Sequence, residues 1–365
     1  MVFTEFRFLA FFGVVLAVHW LLRGDWRKAW LLLASYAFYA AWDWRFLSLI
    51  WISTLVDYTV AQRIATTDVP AKRVAWLRLS LVSNLGLLGV FKYFNFFADG
   101  AVRLAGWLGL PLDPVMAEII LPVGISFYTF QTLSYTLDVY RGTLVPRRSL
   151  LDVALFVGFF PQLVAGPIVR AAHFLPQLEA PRRLGQVRAR PLIVLFLVGF
   201  FKKGVVSDGI APTVDAYFSD PAAYDAWSAW LGTVLYGVQI YCDFSGYSDM
   251  AIASAGLLGF RLAANFDFPY FAPNIAEFWR RWHISLSSWL RDYLYIPLGG
   301  NRGPRLFLYR NLMLTMLLGG LWHGAAWRFV IWGGMHGVAL IAQRLWREFA
   351  APRLPSTITR VMPIA

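Results

Sequence analysis

An all-α polytopic integral membrane protein is the fold class predicted by this sequence, and three observations predict it. Of the 365 residues, 58% are hydrophobic and 17% aromatic while only 15% are charged, whereas a soluble domain carries about 25% charged residues. The apolar residues gather into runs long enough to enter a bilayer, enough for about nine to eleven helices. The 33 Lys and Arg residues fall in short clusters between those runs, the pattern of loops on the cytoplasmic leaflet. A formal charge of +12 therefore reads as loop charge facing anionic lipid. A nucleic-acid surface would need one continuous basic stripe, and there is none.

In chain order the runs cover residues 6–22, 29–42, 46–61, 74–97, 118–140, 151–168, 191–212, 227–241, 249–260, 308–320 and 327–345. A straight crossing takes ~17–25 residues, so the shorter runs imply tilted, broken or re-entrant helices covered by protein or a water-filled cavity. The N-terminus lacks the early basic region and small-residue cleavage site of a signal peptide and reads as a first retained span. The basic clusters at 23–28, 72–78, 141–148 and 182–190 should share the cytoplasmic side. Two runs separate the first cluster from the second and the second from the third. Only the run at 151–168 separates the third from the fourth. It holds Pro161, Gly166 and Pro167 and is expected to be re-entrant. Lys202 and Lys203 should line a cavity or snorkel, and the 219–226 loop, free of Lys and Arg, should be external.

Asp243 and Asp249, in YCDFSGYSDMA, are too costly to leave ionised and alone in apolar surroundings. They should pair with arginines or cap a helix break at Gly246; a catalytic acid is the alternative. Cys242, the single cysteine, excludes a disulfide framework and a cysteine-based zinc site. It reads as core filler, with an acyl-thioester role as the alternative. Residues 1–365 form one expected domain, whose tail, APRLPSTITRVMPIA, stops where another apolar segment begins. No soluble domain and no internal repeat is visible, and the inverted symmetry common in transporters is missing too.

Chemistry concentrates in two segments, EFWRRWHISLSSWLRDYLYIPLGGNR from Glu277 and LGGLWHGAAW from Leu318. In the first, Trp279, Trp282, Leu286, Trp289, Tyr293 and Ile296 recur at helical spacing, which predicts one amphipathic helix. Arg280, His283, Ser287 and Arg291 would share its other face, turned to headgroups or to an anionic ligand. A simple lipid-surface anchor is the alternative. In the second, His323 is flanked by Gly319, Gly320 and Gly324, small residues that let a backbone or substrate approach. Burial favours the neutral imidazole, which can take a proton from a hydroxyl; a structural histidine bonded to a carbonyl is the alternative. His336 and His19 should pack or bond within the bundle. No phosphate-binding, serine-hydrolase or metal-ligand signature is present.

These segments, together with LPVGISFYTFQTLSYTLDVYRG, FFPQLVAGPIVR and YCDFSGYSDMA, resemble the membrane-bound O-acyltransferase family over residues 6–345. The similarity is to its bacterial branch that O-acetylates alginate and other exopolysaccharides. The resemblance implies a ring of tilted helices around a central tunnel, with the family's C-terminal helices absent. It also implies that His323 is the catalytic histidine and His283 the second active-site residue. An acetyl group from a cytoplasmic thioester, acetyl-CoA or an acyl carrier, would be passed across the bacterial inner membrane to an extracytoplasmic esterase-like partner. Arg280, Arg281 and Arg291 are then expected to attract the donor's phosphates. No tightly bound cofactor or metal is expected. Transfer of D-alanine or another acyl group is an enzymatic rival. A transporter or flippase using the same histidines for protons is the rival of another class.

Overall fold

A computed structural model describes residues 1–110, 119–164, 166–181 and 183–350, and these form helices with no strand among them. The expected start of one apolar run at residue 118, Arg182 of the fourth basic cluster and the 351–365 tail lie outside the described residues. The helices are α1 Phe6–Leu21, α2 Gly24–Asp43, α3 Leu47–Ala65, α4 Pro70–Leu88, α5 Phe94–Trp107, α6 Ile125–Tyr140, α7 Leu150–Gly158, α8 Phe160–Leu163, α9 Ala171–Glu179, α10 Ala189–Phe200, α11 Asp208–Ser219, α12 Ala226–Leu257, α13 Ile275–Arg281, α14 Ile284–Leu290, α15 Arg305–His323 and α16 Trp327–Leu345. Among the described residues, Pro70–Trp107 is the one stretch of helix both long and apolar enough to cross a bilayer by itself. The chain folds into two compact units, one of Met1–Ser83 with Phe127–Ala264 and one of Asn84–Ser126 with Asn265–Ala365.

In the first unit, α12 runs unbroken for 32 residues from its cap at Asp225, whose carboxylate accepts from the Ser228 N–H at 2.8 Å. At ~1.5 Å per residue it is longer than a bilayer core is thick. The helix break expected at Gly246 does not exist. Gly246 instead meets Gly199 of α10: a Cβ on either would lie 2.6 Å from the other's carbonyl oxygen. Without side chains here the two backbones touch, as small-residue crossings in membranes do. Just past this contact the chain widens into a π-helical stretch, Phe201–Ser207. Lys202 pairs there with Asp249 and Lys203 with Asp243 and Asp208, each at 2.6–2.7 Å. The acids thus pair with lysines, not with the expected arginines, because the partners sit one helix away at the glycine contact.

The 151–168 segment is built as α7, a kink at Phe159 and α8, and residues 152–163 are all buried. Nine residues of α7 rise only ~14 Å, under half the ~30 Å of a hydrocarbon core. Before it, Arg147 forms an ion pair with Glu179, after it. The stretch between these two residues therefore begins and ends at one place. Lys28 of α2 fixes its start through Asp152 at 2.7 Å.

In the second unit, α15 and α16 pack so closely that a Cβ on Gly320 would lie 3.1 Å from the Gly333 Cα. Against them lie α13 and α14. These are not the single amphipathic helix expected over 277–297, because the chain reverses at Trp282–His283 and His283 takes the left-handed φ of +44°.

Candidate active site

The reversal at His283 decides the site. A continuous helix would put His283 on one face with Arg280 and Arg291. The left-handed residue turns its imidazole inward instead, to 1% exposure. The Asn265 side chain holds it there. Asn265 Oδ1 accepts from the Ser285 backbone N–H at 3.2 Å and from the Ser285 hydroxyl at 2.8 Å, and it lies 3.2 Å from His283 Nδ1. An oxygen that accepts from a backbone N–H is fixed as an acceptor, so Nδ1 carries the imidazole hydrogen and Nε2 is the ring's acceptor nitrogen. The Ile284 N–H to Asn265 carbonyl bond, 2.9 Å, ties the same two strands of chain together.

His323 is the last residue of α15, and Gly324 ends the helix. A Cβ at Gly324 would strike the Phe329 ring, so glycine lets the chain turn directly into α16. The His323 ring packs edge-on against Trp322 and Trp332, at 5.1 Å each, and its centroid is 6.4 Å from that of His283. It also lines a cavity of about 190 Å³ whose walls include Trp279, Leu286, Met316 and Trp332. That volume holds several waters or a small acyl group.

The arginines separate. Arg291 lines the same cavity and bonds Asp292 at 2.7 Å. Arg280 and Arg281 do not line it. Both bond Glu277, at 3.2 and 2.9 Å, and the Arg281 bond first, then that of Arg280, holds the Glu277 carboxyl below the usual carboxylate range. His336 accepts from the Trp279 indole N–H at 3.3 Å, as expected of a histidine bonded within the bundle.

Two contributors escaped sequence reasoning. Asn265 gives no local signal, since its role arises from contact with a loop 18 residues on. Lys92 did give one, a cation deep within an apolar run. It lies in the π-helical turn Gly89–Tyr93, where its ammonium donates to the Trp322 carbonyl and, at 2.8 Å, to the Ser126 hydroxyl. Tyr93 OH donates to the Leu321 carbonyl at 3.0 Å.

Residues 144–364 match the sequence profile of MBOAT, the membrane-bound O-acyltransferase family. A protein of Azotobacter vinelandii named probable alginate O-acetylase AlgI is 46% identical over 97% of this chain and 70% of its own length. A peptidoglycan O-acetyltransferase of Helicobacter pylori is 40% identical over 87% of this chain and 64% of its own. A teichoic acid D-alanyltransferase of Streptococcus thermophilus is 28% identical over 61% and 57%.

Proposed function

The chain belongs to the membrane-bound O-acyltransferase family and is an integral membrane O-acyltransferase, and from this premise we propose that it moves acetyl groups from a cytoplasmic thioester donor toward O-acetylation of an exopolysaccharide such as alginate, in a bacterial inner membrane. The observation that carries this reading is the cavity with His323 in its wall and Arg291 beside it. His323 takes the proton of the acceptor hydroxyl as that oxygen attacks the thioester carbonyl. The tetrahedral oxyanion collapses, the carbon–sulfur bond breaks, and the leaving thiolate receives the proton from the imidazolium. The apolar walls exclude water and so limit hydrolysis of the donor.

His283 acts as the orienting partner. With Nδ1–H given to Asn265, its Nε2 is the nitrogen that would accept a hydrogen bond from a donor entering the site, beside the His323 ring 6.4 Å away. Arg291 attracts a donor phosphate, in exchange for its bond to Asp292; Arg280 and Arg281 add positive potential at the surface. The acetyl ester so formed is then taken up by an extracytoplasmic esterase-like partner, through a tunnel ringed by tilted helices, where a polymer hydroxyl attacks its carbonyl and the first acceptor's oxygen leaves as a hydroxyl. Acetyl rather than D-alanyl transfer is favoured because the relatives above 40% identity carry O-acetylase names.

The test is transfer from radiolabelled acetyl-CoA or acetyl-carrier protein by membranes holding the chain and its partner. His323→Ala should lower the rate at least ~10²-fold, as loss of a general base does, at unchanged protein level. Full activity in that variant, or labelling only from a D-alanyl carrier, would overturn the assignment.

A further inference from the structure

The end of α15 leaves backbone carbonyls without helical partners, and the helix dipole places negative charge there. This is the turn that carries His323. Two of its carbonyls are met from one place: Lys92 donates to Trp322 and Tyr93 to Leu321, both from the π-helical turn Gly89–Tyr93. The extra residue of a π turn is what lets adjacent residues 92 and 93 present their heads together, and such turns recur at functional sites. Among the described residues no carboxylate pairs with Lys92, whose ammonium also lies over the Trp322 ring, 5.4 Å from its centroid. An unpaired ammonium in an apolar helix is costly to maintain, and snorkelling is the usual escape. Here it points instead at the helix end one residue from the reactive imidazole.

We propose that Lys92 is a positioning residue for the acyl transfer: its ammonium clamps the Trp322 carbonyl and thereby holds the last turn of α15, and so His323, in the reactive orientation. The clamp rests on the reading of His323 as the base. It holds His323 in place through the backbone of α15. A charged donor makes the stronger hydrogen bond, so Lys92 outweighs Tyr93. A base displaced by about 1 Å loses up to ~10²-fold in rate, while donor binding is left alone. The effect therefore falls on kcat and spares KM.

The experiment compares wild type with Lys92→Met, Lys92→Arg and Tyr93→Phe in membranes, with acetyl-CoA titrated as donor, and follows backbone hydrogen exchange of residues 318–324 in the purified full chain. Lys92→Met should lower kcat ~10- to 100-fold with KM within about twofold, and exchange should quicken at 318–324 while α16 stays protected. Lys92→Arg, which keeps a charged donor, should recover most of the rate. Tyr93→Phe should lose less than Lys92→Met. Wild-type kcat in Lys92→Met, or quickened exchange spread over the whole unit, would overturn the proposal, as would failure of arginine to rescue. Failure of the underlying reading looks different: His323→Ala would then be active, whatever the exchange at α15 shows.

Discussion

A left-handed φ at a non-glycine residue costs about 1–2 kcal/mol, and His283 carries that cost at +44° while fully buried. Such strain persists only where the surroundings over-determine it, and it gathers at functional sites. Asn265 supplies the constraint here. Asn265→Leu removes the acceptor shared by Ser285 and His283 and orphans a buried N–H, which costs about 1–3 kcal/mol. It also frees the His283 tautomer. Acyl transfer should fall at least ~10-fold in this variant, whereas Asn265→Asp, which keeps the acceptor, should retain more of the rate; equal rates in both would remove the tautomer role. His323 was readable from its motif, but the inward turn of His283 was not. A strict helical period over 277–297 cannot reveal a reversal made possible by a partner outside the window.

At the scale of the element, the α10–α12 crossing is set by two glycines. A Cβ at Gly246 would lie 2.6 Å from the Gly199 carbonyl oxygen and 2.9 Å from the Lys203 N atom. Gly246→Ala must therefore part the helices and draw Lys202 and Lys203 away from Asp249 and Asp243. Overpacking of this kind costs about 1–3 kcal/mol, so the apparent Tm of the purified protein in detergent should drop. Gly209, where an added Cβ meets nothing within 4 Å, is the matched control: Gly209→Ala should leave Tm unchanged or raise it, since alanine is the better helix residue. A fall of equal size in both would show that the loss at Gly246 does not come from the close crossing. The sequence marked Asp243, Asp249, Lys202 and Lys203 as awkward in lipid. Their partnership with one another depends on which helices cross, which periodicity does not encode.

Across the whole molecule, the basic clusters and the buried α7–α8 segment make one joint statement about topology. If that segment enters and leaves at one end, Val145 and Leu184, both exposed, lie on the same side of the membrane. In a background with Cys242 replaced by Ala, Val145→Cys and Leu184→Cys should be equally shielded from an impermeant thiol reagent added outside intact cells. Ala222→Cys, in the acid-rich 219–226 loop, should react. Labelling at Leu184→Cys without labelling at Val145→Cys would show a true crossing and displace the re-entrant reading.

Class and membrane setting were determined by the sequence itself, and His323 was marked there as the candidate base, because these readings rest on local quantities. Apolar runs, basic clusters and a glycine-flanked histidine each carry their signal within some twenty residues. The tertiary structure alone decided which side chains meet. Asp249 chose Lys202 and not an arginine, Arg291 came to the cavity while Arg280 and Arg281 turned to Glu277, and Asn265 and Lys92 joined the two histidines. The physical reason is common to the buried groups among them. In a chain largely short of water, each buried polar group takes the nearest available partner, and distance is set by helix crossings that no stretch of sequence contains.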